Sequence, residues 1–165
     1  MPTANAKTSE LVKKLDALAA GAATAQDLMA GIAKLFHQEM LRYNWVGFYM
    51  LEKGGAQDML VLGQFRGTMT PHTRIPLNQG ICGAAASTGK TIVVDDVNAD
   101  SRYLACSVET KSEIVVPIFV NKNVVGELDI DSHFPAAFTP EDRTLCEHAA
   151  AIVGRYLEKH PEVDQ

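Results

Sequence analysis

The sequence predicts an α+β fold in which a central antiparallel β-sheet of about six strands is packed by helices from both ends of the chain. Segments with helical periodicity lie at 1–41 and 140–158, whereas 44–132 is rich in short runs of β-branched and aromatic residues. Two of these runs are separated by only three residues, and strands joined so closely run antiparallel.

The helices are predicted from the spacing of their apolar residues and from their first residues. Two helices precede the sheet, at 9–19 and about 25–41, and Thr24 suits the N-cap of the second. The last helix has Thr139 as its N-cap and Pro140 in its first turn, and a single apolar stripe follows.

The middle of the chain is predicted to form strands joined by turns. Strands are placed at 45–51, 59–65, 90–94, 113–120 and 124–131, and a short helix at 81–87 is closed by Gly89. The polar connection 52–58 contains two adjacent glycines and suits a hairpin. The turn 121–123 contains Asn121 and Asn123, which tolerate the left-handed backbone that a tight turn requires.

Length and charge restrict the class of protein. With 165 residues, 47% of them hydrophobic, we expect one domain over 1–165 with a single core. The net charge of −5 and the scattered basic residues argue against a nucleic-acid partner. Apolar runs are far shorter than the ~20 residues of a membrane-spanning helix, and the first residues do not resemble a secretory signal. We therefore expect a soluble, cytoplasmic protein without membrane association.

The three cysteines are expected to be reduced, because their number is odd and the chain is too large to need disulfide bonds. They lack the close pairing with other cysteines or histidines that structural zinc sites use, so no metal site is predicted. Cys106 lies in a loop, where it is either reactive or packed. Cys82 lies at the start of the short helix, whose dipole favours a thiolate, although simple packing is the alternative. Cys146 borders the apolar stripe of the last helix and is interpreted as structural.

Strand alternation places three carboxylates on one face of the strand 124–131, namely Glu127, Asp129 and Asp131. With a three-residue turn at 121–123, Glu113 lies opposite Asp131; a two-residue turn shifts the pairing by one. This face is either solvated or a functional cluster of carboxyls that titrate together. Such a cluster could bind an ammonium group and also donate a proton to a substrate oxygen.

Two aromatic residues share a face of the first strand. Trp45 and Tyr49 are separated by four positions, and Gly47 between them leaves a surface against which a ligand could lie. Ordinary core aromatics are the alternative interpretation.

Several motifs resemble known families. GICG at 80–83, GKTIVVDDV at 89–97 and DSRY at 100–103 resemble the middle of a GAF domain. The segments that narrow the resemblance to the free methionine-(R)-sulfoxide reductases are NWVGFY at 44–49, CSVETKSEIVVP at 106–117 and GELDIDS at 126–132. This resemblance implies a GAF-like fold and a homodimer.

The resemblance also implies a site. It makes Cys106 the nucleophile, Glu113, Asp129 and Asp131 the acids that bind substrate and handle protons, and Trp45 and Tyr49 the pocket walls. A Cys106 thiolate would attack the sulfoxide sulfur while a protonated carboxyl assists the oxygen, leaving a sulfenic acid and free methionine. The acids would select the free amino acid through its α-ammonium group. The resemblance implies no bound cofactor. It implies that the reductant is thioredoxin, which is itself reduced with electrons from NADPH, or a small thiol.

The chain departs from this family at two positions. His72 stands where the family usually has a further cysteine, whereas Cys82 matches a family cysteine. A Cys82–Cys106 disulfide reduced by thioredoxin is therefore the first recycling hypothesis, and direct reduction of the sulfenic acid is the alternative. Glu127 stands where the family tends to be apolar, and an ordinary exposed position is expected.

Two other functions compete: a non-catalytic GAF sensor of a small ligand, and a thiol redox sensor without turnover.

Overall fold

The computed structural model describes residues 4–104 and 108–161 and confirms the α+β class. The helices are α1 (Ala4–Gly21), α2 (Ala25–Glu39), α3 (Gly80–Thr88) and α4 (Pro140–Lys159). The strands are β1 (Trp45–Glu52), β2 (Met59–Arg66), β3 (Arg74–Pro76), β4 (Ile92–Val94), β5 (Ser112–Val120) and β6 (Asn123–Ser132). None of the described helices is both long enough and apolar enough to cross a membrane.

The strands form one antiparallel sheet in the order β3-β2-β1-β6-β5-β4. Strand β3, which pairs with the start of β2, is the strand that the sequence did not reveal. Three residues are too few for a period-two pattern, so only the partner strand identifies it.

The helix ends follow the predicted signals. The Thr24 side chain accepts a hydrogen bond from the backbone N–H of Asp27, and Thr139 forms a reciprocal capping box with Asp142. Gly89 ends α3 in the left-handed conformation at φ 67°. These local hydrogen bonds set where the helices begin and end.

The β5–β6 hairpin has a two-residue turn rather than the three-residue turn considered above. Asn121 and Lys122 both have positive φ, 50° and 71°, as a tight hairpin turn requires. The pairing then shifts by one residue between Ile118 and Phe119, where β6 carries an additional residue. Beyond this bulge, β5 and β6 pair in the register predicted for a three-residue turn. This register sets which residues of β5 lie opposite the acidic residues of β6.

The two faces of the sheet are both covered. On one face, β1, β5 and β6 pack against α1, α2 and α4 through residues such as Phe36, Phe48 and Leu128. On the other face, Tyr49 and Val115 pack against α3. The candidate site lies on this second face, between the sheet and α3.

Candidate functional site

Three neighbouring strands present their side chains to α3 in matched rows. Each row contains one residue of β1, one of β6 and one of β5. In order along β1, the rows are Trp45, Asp131 and Glu113; then Gly47, Asp129 and Val115; then Tyr49, Glu127 and Pro117. The carboxyls of β6 are therefore flanked by aromatic residues or glycine on β1. Of the two pairings that the sequence allowed, the structure has Glu113 opposite Asp131, because the bulge restores the register expected for a three-residue turn.

All four carboxyl side chains are buried. Glu127, Asp129, Asp131 and Glu113 are 0%, 3%, 3% and 5% exposed. The solvated-face interpretation is therefore wrong, and so is the expectation that Glu127 is an ordinary exposed residue. Alternation along β6 showed that these side chains share a face, but only the packing of α3 decides that the face is covered.

Several carboxyl oxygens make no hydrogen bond to the described residues. They are both Oε atoms of Glu127, Oδ1 of Asp129 and Oδ1 of Asp131. A buried polar atom without a partner costs roughly 1–3 kcal/mol. The cluster therefore opposes folding, and hydrogen-bond donors of a ligand would find acceptors there.

Burial and mutual repulsion keep protons on these acids. Burial raises the pKa of Glu113 well above its usual range, and the charges of Asp129 and Asp131 raise it further. The pKa of Asp131 is raised by burial and then by Asp129. Burial also raises the pKa of Asp129, against the hydrogen-bonding effects of Glu113 and Cys82. At neutral pH, at least one member of this coupled set is a carboxylic acid.

Cys82 lies on α3 directly above the acids. Burial raises the pKa of its thiol well above the usual range, and the charges of Asp129, Glu127 and Glu113 add to this. The prediction that the helix start favours a thiolate is therefore wrong, because burial and three carboxyls outweigh the dipole of a nine-residue helix. Cys82 is a neutral thiol at neutral pH.

The aromatic residues of β1 are held by hydrogen bonds to the loop between β2 and β3. The Tyr49 hydroxyl donates to the carbonyl of His72 at 2.7 Å, and Nε1 of Trp45 donates to the carbonyl of Thr68 at 3.0 Å. The Trp45 indole occupies the space over Gly47, where a Cβ atom would collide with it. The surface that Gly47 was predicted to leave open is thus covered by Trp45.

Two cavities border the cluster, and we call them the inner and outer cavities. The inner cavity, about 20 Å³, is lined by Tyr49, His72, Ile75, Gly80, Ile81, Cys82, Leu104, Glu113 and Asp129. The outer cavity, about 150 Å³, is lined by Asn44, Trp45, Thr68, Met69, Thr70, Glu109, Thr110, Asp131 and His133. Because Glu113 and Asp131 are cross-strand neighbours, the two cavities are adjacent.

A larger groove elsewhere among the described residues is lined by other side chains. It has a volume of about 570 Å³, lies along α4 and is lined by Lys90, Arg143 and Glu147 among others. It contains none of the four carboxyls described above. The inner and outer cavities, which border the acids, are therefore the candidate site.

Cys106, with its neighbours Ala105 and Ser107, lies outside the described residues. The described residues before and after this segment border the site: Leu104 lines the inner cavity, and Glu109 and Thr110 line the outer cavity.

Cys146 is buried in the core on α4, as its structural interpretation predicted. Its Sγ lies 3.8 Å from the Tyr43 hydroxyl, to which it donates. Burial raises the pKa of this thiol beyond the physiological range. Cys146 is remote from the acids and is suited to packing rather than to chemistry.

Sγ of Cys82 and one carboxyl oxygen each of Glu113 and Asp129 lie within 4.8 Å of one another. A metal ion would require these groups to lose their protons, whereas burial raises the pKa of all three. We assign no metal to this cluster, and the sequence expectation of a metal-free site stays a prediction.

The fold and the site first define a class of protein. Residues 24–157 match the GAF domain family model. The six-stranded antiparallel sheet packed by the N- and C-terminal helices agrees with the GAF-like fold that the resemblance implies.

Relatives and solved structures narrow the class. The free methionine-R-sulfoxide reductase of Escherichia coli K12 is 36% identical over 81% of this chain and 78% of its own length. That of Neisseria meningitidis, solved in complex with its substrate, has a TM-score of 0.89 at 32% identity, covering 98% and 95% of the two chains. The fRMsr of Staphylococcus aureus, also solved with substrate, has a TM-score of 0.83 at 33% identity, covering 95% and 97%. The chain belongs to the GAF-domain family and, within it, to the free methionine-R-sulfoxide reductases.

Proposed function

We propose that this chain reduces free methionine-(R)-sulfoxide to methionine with Cys106 as the nucleophile. The observation that carries the proposal is the cluster of buried acids, Glu113, Asp129 and Asp131, at two adjacent cavities. Membership of the reductase family supports the same reaction, since relatives were solved with substrate bound.

The acids suit a free amino acid. An α-ammonium group would pair with the unpartnered oxygens of Asp129 and Asp131, and its charge would favour their ionised forms. A methionine within a polypeptide has no such charge. The same cluster would therefore reject protein-bound methionine sulfoxide, because its carboxyls would remain without a cationic partner.

The acids also suit sulfoxide reduction. Cys106, as a thiolate, would attack the sulfoxide sulfur while the sulfoxide oxygen takes a proton from a carboxylic acid of the cluster, Glu113 or Asp129. The hydroxyl group then passes from the methionine sulfur to the Cys106 sulfur, so that the transient bond between the two sulfurs and the S–O bond of the substrate break and an S–O bond to Cys106 forms. The methionine sulfur is reduced by two electrons and the Cys106 sulfur is oxidised by two, which gives methionine and a sulfenic acid. The raised pKa of Glu113 keeps the required proton on the acid at neutral pH.

Substrate entry requires the site to open. The inner cavity of about 20 Å³ accommodates roughly one water molecule, not an amino acid. Gly47 is the cross-strand neighbour of Asp129, so displacing the Trp45 indole from Gly47 would enlarge the space beside that acid. Because Trp45 is the only tryptophan of the chain, its fluorescence reports this movement directly.

Recycling would pass through Cys82, which lines the inner cavity. We propose that Cys82 forms a disulfide with the Cys106 sulfenic acid and that thioredoxin reduces it, with direct reduction by a small thiol as the alternative. We further propose, on the family resemblance, that the enzyme acts as a homodimer, and that it works in the cytoplasm, where thiols stay reduced.

The decisive experiment supplies the separated R and S diastereomers of free methionine sulfoxide with thioredoxin, thioredoxin reductase and NADPH. We expect NADPH consumption with the R form, and little with the S form or with an N-acetylated, C-amidated R-sulfoxide. Cys106→Ser should be inactive, whereas Cys146→Ser serves as the matched control. Absence of turnover by the native protein, or undiminished turnover by Cys106→Ser, would contradict the proposal. Binding of the R form with a change in Trp45 fluorescence but without turnover would indicate a GAF sensor.

A further inference from the structure

The outer cavity has room for part of an amino acid. Its volume of about 150 Å³ is several times the roughly 30 Å³ that one water molecule occupies in the liquid. The inner cavity, about 20 Å³, holds roughly one water molecule. The head group of a free amino acid, an ammonium and a carboxylate on one carbon, therefore fits the outer cavity rather than the inner one.

Asp131 provides the outer cavity with a buried acid. Its side chain is 3% exposed, lines this cavity and has an oxygen, Oδ1, without a hydrogen bond to the described residues. An ammonium group in the cavity would supply the missing donor. Glu113, which lies opposite Asp131 on β5, lines the inner cavity. Directly opposed residues have Cβ atoms only about 4.5–5.5 Å apart, so a side chain that starts at Asp131 reaches Glu113.

A free amino acid also has a carboxylate, which needs a positively charged partner. His133 is the only basic residue among the described residues that line the outer cavity. The other ionisable residues of that lining, Asp131 and Glu109, are acids and do not attract a carboxylate. His133 is thus the group of this lining that can carry the required charge.

His133 is held in a fixed position relative to Asp131. The backbone N–H of Asn44 donates to the carbonyl of Asp131 at 3.0 Å, and Oδ1 of Asn44 accepts from the backbone N–H of His133 at 2.8 Å. Oε2 of Glu109 lies 3.5 Å from Nδ1 of the His133 ring. The other ring nitrogen, Nε2, makes no hydrogen bond to the described residues. An imidazolium donates from both nitrogens, so Nε2 is available to a second carboxylate.

We propose that His133 binds the α-carboxylate of free methionine-(R)-sulfoxide in the outer cavity, where Asp131 binds the α-ammonium group. This inference rests on the proposed function and adds a second requirement to it. The acids select a substrate with a free ammonium group, and His133 selects one with a free carboxylate. Because His133 contacts the head group and not the sulfoxide, it contributes to binding rather than to the chemical step.

Steady-state kinetics with thioredoxin, thioredoxin reductase and NADPH test this assignment. The substrates are the R-sulfoxides of free methionine and of methioninamide, in which a neutral carboxamide replaces the carboxylate. For His133→Gln we expect the KM of the free acid to rise at least ~10-fold, with kcat within about twofold of native. On the amide, native and His133→Gln should agree within about twofold in kcat/KM, because the carboxylate is absent.

His37→Gln is the matched control, since it removes an exposed histidine from the last turn of α2. It should equal native on both substrates. Far-ultraviolet circular dichroism verifies that both variants are folded.

Equilibrium binding tests the same contact without turnover. Cys106→Ser, with and without His133→Gln, is titrated with the two R-sulfoxides by isothermal titration calorimetry in the absence of reductant. His133→Gln should raise the Kd of the free acid at least ~10-fold and that of the amide less than about twofold.

The two measurements keep the inference separate from the proposed function. A smaller effect of His133→Gln on the free acid, or an equal loss on the acid and the amide, would overturn the role of His133 in binding the carboxylate. Absence of turnover by the native enzyme would instead overturn the proposed function, and the calorimetry would still decide whether His133 binds the carboxylate.

Discussion

Replacing Glu127 by glutamine should change the pH dependence of stability. The pKa of this carboxyl in the folded protein lies well above the reference value of 4.5, chiefly because it is buried. Between those two values the folded state binds a proton that the unfolded state has released. Stability due to this group is therefore complete below about pH 4.5 and is lost as the pH rises towards the folded-state pKa.

The magnitude follows from proton linkage. One additional proton bound by the folded state lowers the free energy of unfolding by up to about 1.4 kcal/mol per pH unit. Glutamine has nearly the same volume and does not titrate. Near pH 4.5, Glu127→Gln should have about the same free energy of unfolding as the native protein. As the pH rises, the variant should become progressively more stable than native. Above the folded-state pKa of Glu127 the difference should become constant.

Urea unfolding followed by far-ultraviolet circular dichroism, at pH values from about 5 to 8, measures this difference. Glu52→Gln is the matched control, because that carboxyl is exposed and paired with Arg74; we expect a change below about 1 kcal/mol at every pH. If the difference between Glu127→Gln and native were the same at both ends of the range, Glu127 would not be a proton-holding group in the folded state.

The remaining predictions concern the acids, metal independence and the packing of α4. Glu113→Gln and Asp129→Asn should each lower kcat/KM for the R-sulfoxide at least ~100-fold, and a loss below about threefold would exclude proton transfer by these acids. Because the donating acid must be protonated, native kcat/KM should fall as the pH rises through its raised pKa, and a flat alkaline limb would contradict this. Dialysis against a chelator should leave kcat/KM within about twofold, and a loss restored by zinc would reveal a metal site. Gly154→Ala should lower the free energy of unfolding by roughly 1–3 kcal/mol, because its Cβ would collide with the carbonyl of Phe119, whereas Gly21→Ala, with open space around it, should be nearly neutral in chemical denaturation.

Much of the fold was predictable because its signals are local. Thr24 and Thr139 were identified as N-caps from their position before apolar stripes, and both make the expected hydrogen bonds. The turn was harder to predict: Asn121 and Lys122 form it, and a bulge compensates for its shorter length. Hairpin register depends on turn and bulge together, so the pairing of Glu113 with Asp131 followed from the sequence only as one of two alternatives.

The carboxyls of β6 show which properties of the site follow from the sequence and which require the tertiary structure. The sequence by itself determined that Glu127, Asp129 and Asp131 share one face of a strand, because side-chain direction alternates with a period of two residues. Only the tertiary structure decided that α3 covers this face and that Cys82 is therefore a neutral thiol. Burial and proton affinity depend on residues far apart in the chain, and no local pattern records which of them will meet.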